Sequence, residues 1–240
     1  MTLAPGMIDA IGARLAHVRE RMAAACARAR RAPDSVTLVG VTKTFSAETV
    51  AAAFDAGLRD FGENYVQEAL EKIAVLRHGR PEIVLGASGT EPARFHFIGH
   101  MQSNKVRTAL TAFEALHGID SESALDAIAA TAPASTVRVF LQVNIAREAS
   151  KRGALPDEVR GLLLRAQQIP RVEVLGLMAV PPQSTNPEDA RAHFHRLREM
   201  AERHRLKCLS MGMSDDFEVA IEEGATHIRV GRAIFGERSG

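Results

Sequence analysis

Short apolar runs rich in β-branched side chains alternate along this 240-residue chain with stretches whose apolar residues recur every three or four positions. No other feature narrows the fold as far. A strand, a helix and a further strand in succession make a parallel crossover unit, and a chain built of such units has few ways to cover both faces of its sheet. A helix precedes the first unit: Ile8, Ile11, Leu15, Val18, Met22 and Ala25 share one helical face. It should stop before Pro33, because the residue ahead of a proline is pushed out of the helical region. Residues 36–42 (VTLVGVT) then read as a strand buried on both sides.

The unit repeats. Strands are predicted over 36–42, 60–62, 95–99, 116–119, 137–145, 172–180, 208–211 and 227–230. Between them helices are predicted over 46–56, 65–76, 103–111 and 215–223, with others running from an Asp120 N-cap to Ala130 and from Pro156 to just before Pro170. Asn186-Pro187-Glu188-Asp189 supplies an N-cap, a proline at the first helical position and two carboxylates in the first turn. Eight strand–helix units in a chain of this length predict an α/β protein, a single (β/α)8 TIM barrel over residues 1–240 with an extra N-terminal helix in residues 1–34. A doubly wound open sheet shares the local pattern, and the strand count favours the barrel. Residues 76–94, with three glycines and two prolines, read as a surface connection and not as a domain boundary.

Composition removes several function classes. Thirty basic residues nearly cancel 29 acidic ones, for a formal net charge of +1, so no nucleic-acid or anionic-membrane surface is marked. Arg28, Arg30 and Arg31 form a short basic run that reads as a solvated helix end. The chain has no Trp and one Tyr, which leaves no platform for stacking bases. No apolar stretch approaches the roughly 20 residues that span a bilayer, and no export leader is visible, so a cytoplasmic location is expected. Cys26 and Cys208 form no CxxC and no disulfide framework, which suits a reducing compartment.

Lys43 follows the first strand directly, so in a barrel it lies at the C-terminal mouth, where active sites are found. A lysine there that loses its proton can form an imine; taken alone, it also reads as a solvated lysine at a strand end. Residues 209–216 (LSMGMSDD) turn strand seven into its helix and offer hydroxyls and N–H groups to a phosphate. Ser214 reads equally as an N-cap there, and Asp215 and Asp216 would repel an anion if they faced it. Residues 229–236 (RVGRAIFG) place Arg229 at a strand end and Gly231 where backbone N–H groups open; a surface arginine and an ordinary turn glycine are the other reading. These are the turns after strands seven and eight, a frequent phosphate site in this barrel. An amine able to form an imine, facing a phosphate cradle, describes either a pyridoxal phosphate site or a Schiff-base aldolase. Asn64, in residues 62–68 (GENYVQE), reads as a ring contact or a helix cap. His96 and His100 straddle a strand end, and His193 and His195 diverge on a helix, so no metal site is expected. No nucleophile-elbow sequence supports a hydrolase.

Residues 39–44 (VGVTKT), 61–68 (FGENYVQE), 96–105 (HFIGHMQSNK), 176–179 (GLMA), 209–216 and 228–231 (IRVG) together resemble the YggS/PROSC pyridoxal phosphate homeostasis family, in that family's order over about residues 36–238. The resemblance implies a barrel like the N-terminal domain of alanine racemase. It implies that Lys43 carries pyridoxal 5′-phosphate as an internal aldimine, with Asn64 beside the ring and Arg229 facing the pyridine nitrogen. Ser210, Met213, Ser214 and Gly231 would then surround the phosphate. An arginine at that nitrogen leaves it unprotonated and weakens the ring as an electron sink. His100-Met101 stands where some members have Pro-Leu, at no cofactor contact. Alanine racemase brings a catalytic tyrosine from a second domain, for which this chain has no room. The expected function is therefore carriage and homeostasis of the cofactor by a monomer, without robust turnover and with apo-enzymes as possible recipients. A racemase-like enzyme of low activity is the alternative.

Overall fold

The protein, described here by a computed structural model over residues 1, 3–87 and 89–237, closes eight parallel strands into a barrel. They are β1 (Thr37–Val41), β2 (Asp60–Glu63), β3 (Arg94–Phe97), β4 (Ala115–Ile119), β5 (Val137–Gln142), β6 (Val172–Met178), β7 (Cys208–Ser210) and β8 (His227–Val230). Each strand pairs with its sequence neighbours, and β8 returns to β1 with Thr37 opposite His227 and Gly40 opposite Val230. That last pairing excludes the open doubly wound sheet, whose edge strands stay apart.

Alternation along the strands separates two environments. Outward residues such as Leu38, Phe61, Leu116, Leu141, Leu177 and Ile228 join the large apolar layer between strands and helices. Inward residues form a smaller cluster of Ala115, Phe140 and Met178 with Leu175, Val180 and Cys208. Much of the rest of the interior is polar: Asp60, His96, His117, Ser210 and Arg229 are all buried. Barrel interiors are usually filled by branched apolar side chains, so this filling stands out.

The N-terminal helix α1 (Met7–Arg28) buries Ile11, Leu15, Val18, Met22, Ala25 and Cys26. Ile8, the first member of the expected stripe, is 38% exposed, so the contact face begins one turn later. This helix packs against the helices Ala47–Asp55, Phe217–Glu222 and Arg232–Phe235. The basic run at its end is not simply solvated. Arg28 binds Glu218 at 2.9 Å and Glu222 at 2.5 Å, and Arg31 donates to the Ile221 carbonyl at 2.8 Å.

Two helix starts differ from expectation for local reasons. Ser121, not Asp120, caps Glu122–Ala130, its hydroxyl accepting from the Ala124 N–H. Asp120 is engaged elsewhere, accepting from the Gly153 N–H at 3.2 Å and lying 3.2 Å from His100 Nδ1. The helix expected from Pro156 begins at Val159, because Glu158 folds back to accept the Leu155 N–H at 2.7 Å. Asn186 caps as expected, its side chain accepting from the Glu188 N–H, and a 3-10 turn over Pro187–Ala190 leads into the helix Arg191–Arg203. Among the described residues no helix is long and apolar enough to cross a membrane.

Candidate functional site at the C-terminal mouth

Lys43 sits two residues beyond β1, half-buried, in a turn whose backbone is held from below. Thr42 and Glu63 are fully buried and Lys72 nearly so. Lys72 Nζ donates to the Thr42 carbonyl at 2.6 Å and to Glu63 at 2.8 Å, and it contacts Glu68 at 2.6 Å. Thr42 adds its hydroxyl to Glu63 at 2.8 Å, and the Thr44 N–H donates to Glu68 at 2.5 Å. Burial pushes the Glu63 carboxyl up, against the lowering effect of the Lys72 ammonium and the Thr42 hydroxyl. The residues on either side of Lys43 are thus both tied to one ionic cluster, which fixes where its side chain leaves the strand end.

Asn64 lies one residue past β2, half-buried. In the β1–β2 ladder Val41 faces Gly62, so continuing the register brings Lys43 and Asn64 to the same rim. The next loop fits tightly against it: a Cβ on Gly99 would stand 2.4 Å from the Asn64 carbonyl oxygen. Gly231 follows β8, and a Cβ there would meet Val41 at an ordinary 3.4 Å. Its φ is −110°, so the position does not demand glycine by conformation.

The turns after β7 and β8 are joined. The Ala233 N–H donates to Ser214 Oγ at 3.4 Å, and Arg232 pairs with Asp215 across the same gap. The two acidic residues just ahead of the helix Phe217–Glu222 are both engaged within the chain. Asp215 is occupied by Arg232, and Asp216 accepts the Met213 N–H at 2.6 Å inside its own turn. Burial raises the Asp216 carboxyl, opposed by that N–H and by Arg229. The tight path depends on Gly212, whose φ is +93° and where a Cβ would stand 2.6 Å from the Ala220 Cβ.

Arg229 is 4% exposed, far from the surface arginine that its sequence position allows. Nη1 donates to Ser210 Oγ at 2.7 Å and Nη2 to the Ala179 carbonyl at 3.1 Å. Complete burial lowers its pKa to about 10, so it remains a cation at neutral pH. Ser210 is fully buried with its hydroxyl held between Arg229 and His117, which engages it with the arginine and not with the turn below. Sequence reasoning named Lys43, Asn64, Ser210, Met213, Ser214, Arg229 and Gly231. It missed Glu63, Lys72, Asp60 and His117 and weighed His96 only as a metal ligand; Asp60, Glu63, His96 and His117 lie in strands and Lys72 on the helix Val66–Gly79.

The comparisons with known proteins fit this geometry. The family described as "Alanine racemase, N-terminal domain" matches residues 14–239. The pyridoxal phosphate homeostasis protein of Aquifex aeolicus is 39% identical over 233 residues, covering 94% of this chain and 97% of the relative. A protein of unknown role from Bifidobacterium adolescentis superposes with a TM-score of 0.89 at 32% identity, covering 98% of both chains. PipY of Synechococcus elongatus, solved with pyridoxal phosphate bound, superposes with a TM-score of 0.78 at 32% identity, covering 94% of this chain and 100% of PipY. The barrel is of the alanine racemase N-terminal-domain class. Within that class, the chain belongs to the pyridoxal phosphate homeostasis family.

Proposed function

We propose that this chain binds pyridoxal 5′-phosphate covalently at Lys43 and serves intracellular homeostasis of the cofactor, without robust turnover. The observation that carries the reading is the convergence on one rim of Lys43, the buried Arg229 cation and two bridged turns that present Ser214 and Gly231. The donor set fits the group. A primary amine suits its aldehyde, a guanidinium suits a pyridine nitrogen that must accept, and a turn whose carboxylates are already engaged suits a phosphate. When bound, the cofactor supplies an aldehyde reactive toward amines and an electron-withdrawing ring. The residues of the chain then act by position: Lys43 holds the aldehyde end, Asn64 stands beside the ring, and Ser214, Gly231 and the Met213 turn receive the phosphate. Ser210 serves by holding Arg229. Because Arg229 stays a donor-only cation well above neutral pH, a ring nitrogen facing it must accept and so stays unprotonated, which supports carriage over carbanion chemistry. The whole chain acts as one cytoplasmic, monomeric domain, and apo-enzymes that use the cofactor are its proposed recipients.

The test is the visible spectrum of the purified protein before and after borohydride, with the modified peptide mapped by mass spectrometry. A visible band that borohydride bleaches, with a pyridoxyl group on Lys43, is expected. Lys43→Ala should lose the reducible adduct and keep weaker, noncovalent binding. A wild-type protein that stays colourless with added pyridoxal phosphate would overturn the proposal. Sustained turnover on a panel of amino acids would replace carriage by racemase-like catalysis.

A further inference from the structure

The polar interior of the barrel is not a scatter of residues. Arg229 Nη1 lies 2.7 Å from Ser210 Oγ, Ser210 Oγ 2.8 Å from His117 Nδ1, and His117 Nε2 3.1 Å from His96 Nδ1. His96 Nε2 lies 3.0 Å from Asp60 Oδ1, and Asp60 is clamped by Arg94 through two contacts of 2.8 Å. The chain therefore runs unbroken from Arg229 near the mouth to the first residue of β2, and every member from Asp60 to Arg229 is buried.

Its two ends fix its direction. A guanidinium only donates, and an ionised carboxylate only accepts. Asp60 is held ionised, its pKa lowered to about 2 by Arg94 and His96 despite the opposing effect of burial. With neutral rings, one arrangement satisfies every contact. Arg229 donates to Ser210, the Ser210 hydroxyl donates to His117 Nδ1, His117 Nε2–H donates to His96 Nδ1, and His96 Nε2–H donates to Asp60. The opposite sense sets an unprotonated His96 nitrogen against the carboxylate unless His96 takes up an extra proton. Burial, then the neighbouring His96, His227 and Arg229, hold His117 well below its ordinary pKa, in its neutral form.

We infer that His117 is a positioning residue for Arg229: by accepting a hydrogen bond from the Ser210 hydroxyl at Nδ1 it turns the serine lone pairs toward the guanidinium and fixes the face that Arg229 presents at the mouth. This deepens the cofactor-binding proposal and rests on it for the identity of the ligand, but the hydrogen-bond order itself does not. His96 and Asp60 complete the anchor by fixing the His117 tautomer. Each bond in such a chain polarises the next, so an anion at the far end steadies a cation that among the described residues has no directly bonded carboxylate.

Two measurements test this. Nitrogen-15 NMR of the ring nitrogens in the ligand-free wild type at about pH 8 should find the proton on Nε2 and not on Nδ1 in both His117 and His96. An Nδ1 proton on His117 would overturn the inference whether or not the protein binds a cofactor. The second compares pyridoxal phosphate binding, and the nitrogen-15 shift of its pyridine nitrogen, in His117→Phe, His117→Asn and Ser210→Ala. His117→Phe and Ser210→Ala should weaken binding roughly tenfold and move the pyridine signal. His117→Asn, whose amide oxygen can replace the Nδ1 acceptor, should stay within roughly threefold of wild type. Wild-type affinity and pyridine shift in both His117→Phe and Ser210→Ala would refute the positioning role. Failure of the wild type to bind pyridoxal phosphate would instead refute the cofactor proposal and leave the tautomer measurement to judge the relay. Should His117→Phe not fold, Ser210→Ala and the tautomers decide.

Discussion

Acidification should destabilise this barrel through its interior histidines. The His96, His117 and His227 rings stand in mutual contact, with centroids 5.2, 5.8 and 6.3 Å apart. Burial, then His96, lowers the pKa of His227 to about 4 from an ordinary 6.5, and His117 is pushed well below its own ordinary value by the same causes. The sign follows from which state binds the proton. Between pH 6.5 and about 4 the unfolded chain protonates its imidazole while the folded chain does not, so stability falls as pH falls through that window and levels off below it. The difference for His227 alone corresponds to roughly 3 kcal/mol at pH 4, a large part of a typical total of about 5–15 kcal/mol. His117 adds to it in the same direction.

Urea unfolding followed by circular dichroism at pH 7, 6, 5 and 4.5 measures the fall, and His227→Gln isolates its source. The glutamine keeps a polar group near Thr226, which now lies 2.9 Å from His227 Nδ1, but cannot titrate. Its stability should change less over the same range, by about 2 kcal/mol or more relative to wild type. Asp60 acts in a separate window. Its folded pKa of about 2 lies below the ordinary carboxylate value, so its contribution is complete above about pH 4 and is lost only as pH falls toward 2. A wild type that keeps its stability within about 1 kcal/mol from pH 7 to 4.5 would refute the reasoning. An unchanged slope in His227→Gln would refute the assignment to His227.

Other perturbations test the frame around the site. Lys72→Met removes the cation between Glu63 and Glu68 and leaves a fully buried carboxylate without it; a loss of about 3–5 kcal/mol in urea unfolding is expected, partly relieved by adding Glu63→Gln. Gly212→Ala forces a left-handed backbone on alanine and sets its Cβ against Ala220, so a loss of about 2 kcal/mol or more and weaker phosphate binding are expected. Near-native stability in either variant would show that the cluster or the turn has room to relax.

The pattern of strands was legible because each is buried on its outer face by helices, which leaves an apolar run that local sequence displays. β8 falls at 227–230 as the run predicts, and the pairing of β8 with β1 follows from the count. Helix starts were less legible where a side chain had a partner distant in sequence. Asp120 looks like a cap in its own heptapeptide, but Gly153 and His100 engage it. Lys43 was legible as a position, a lysine just past a strand end. What holds that position was not: Lys72 lies on the buried face of its helix with Ala69, Ile73 and Leu76, and only the fold brings Glu63, Glu68 and the Thr42 carbonyl around it.

The barrel interior was the least legible part, and the reason is geometric. Asp60, His96, His117 and Ser210 come from four different strands, so no short window of sequence contains two of them. Registers supply what periodicity lacks: Asp60 faces Arg94, and Gly62 faces His96, which steps the polar residues around the inside of the barrel toward Arg229. Branched apolar side chains in the same places would avoid burying a carboxylate, a guanidinium and several imidazoles, each of which needs partners to be tolerated. The arrangement therefore trades tolerance of acid for a fixed arginine at the mouth. The same hydrogen bonds that hold Arg229 require His117 to stay neutral, and that requirement adds to the acid-unfolding slope that His227 sets. A variant that loses most of the slope while keeping Arg229 in place would separate the two roles, and His227→Gln is suited to this because His227 stands beside the relay without being one of its links.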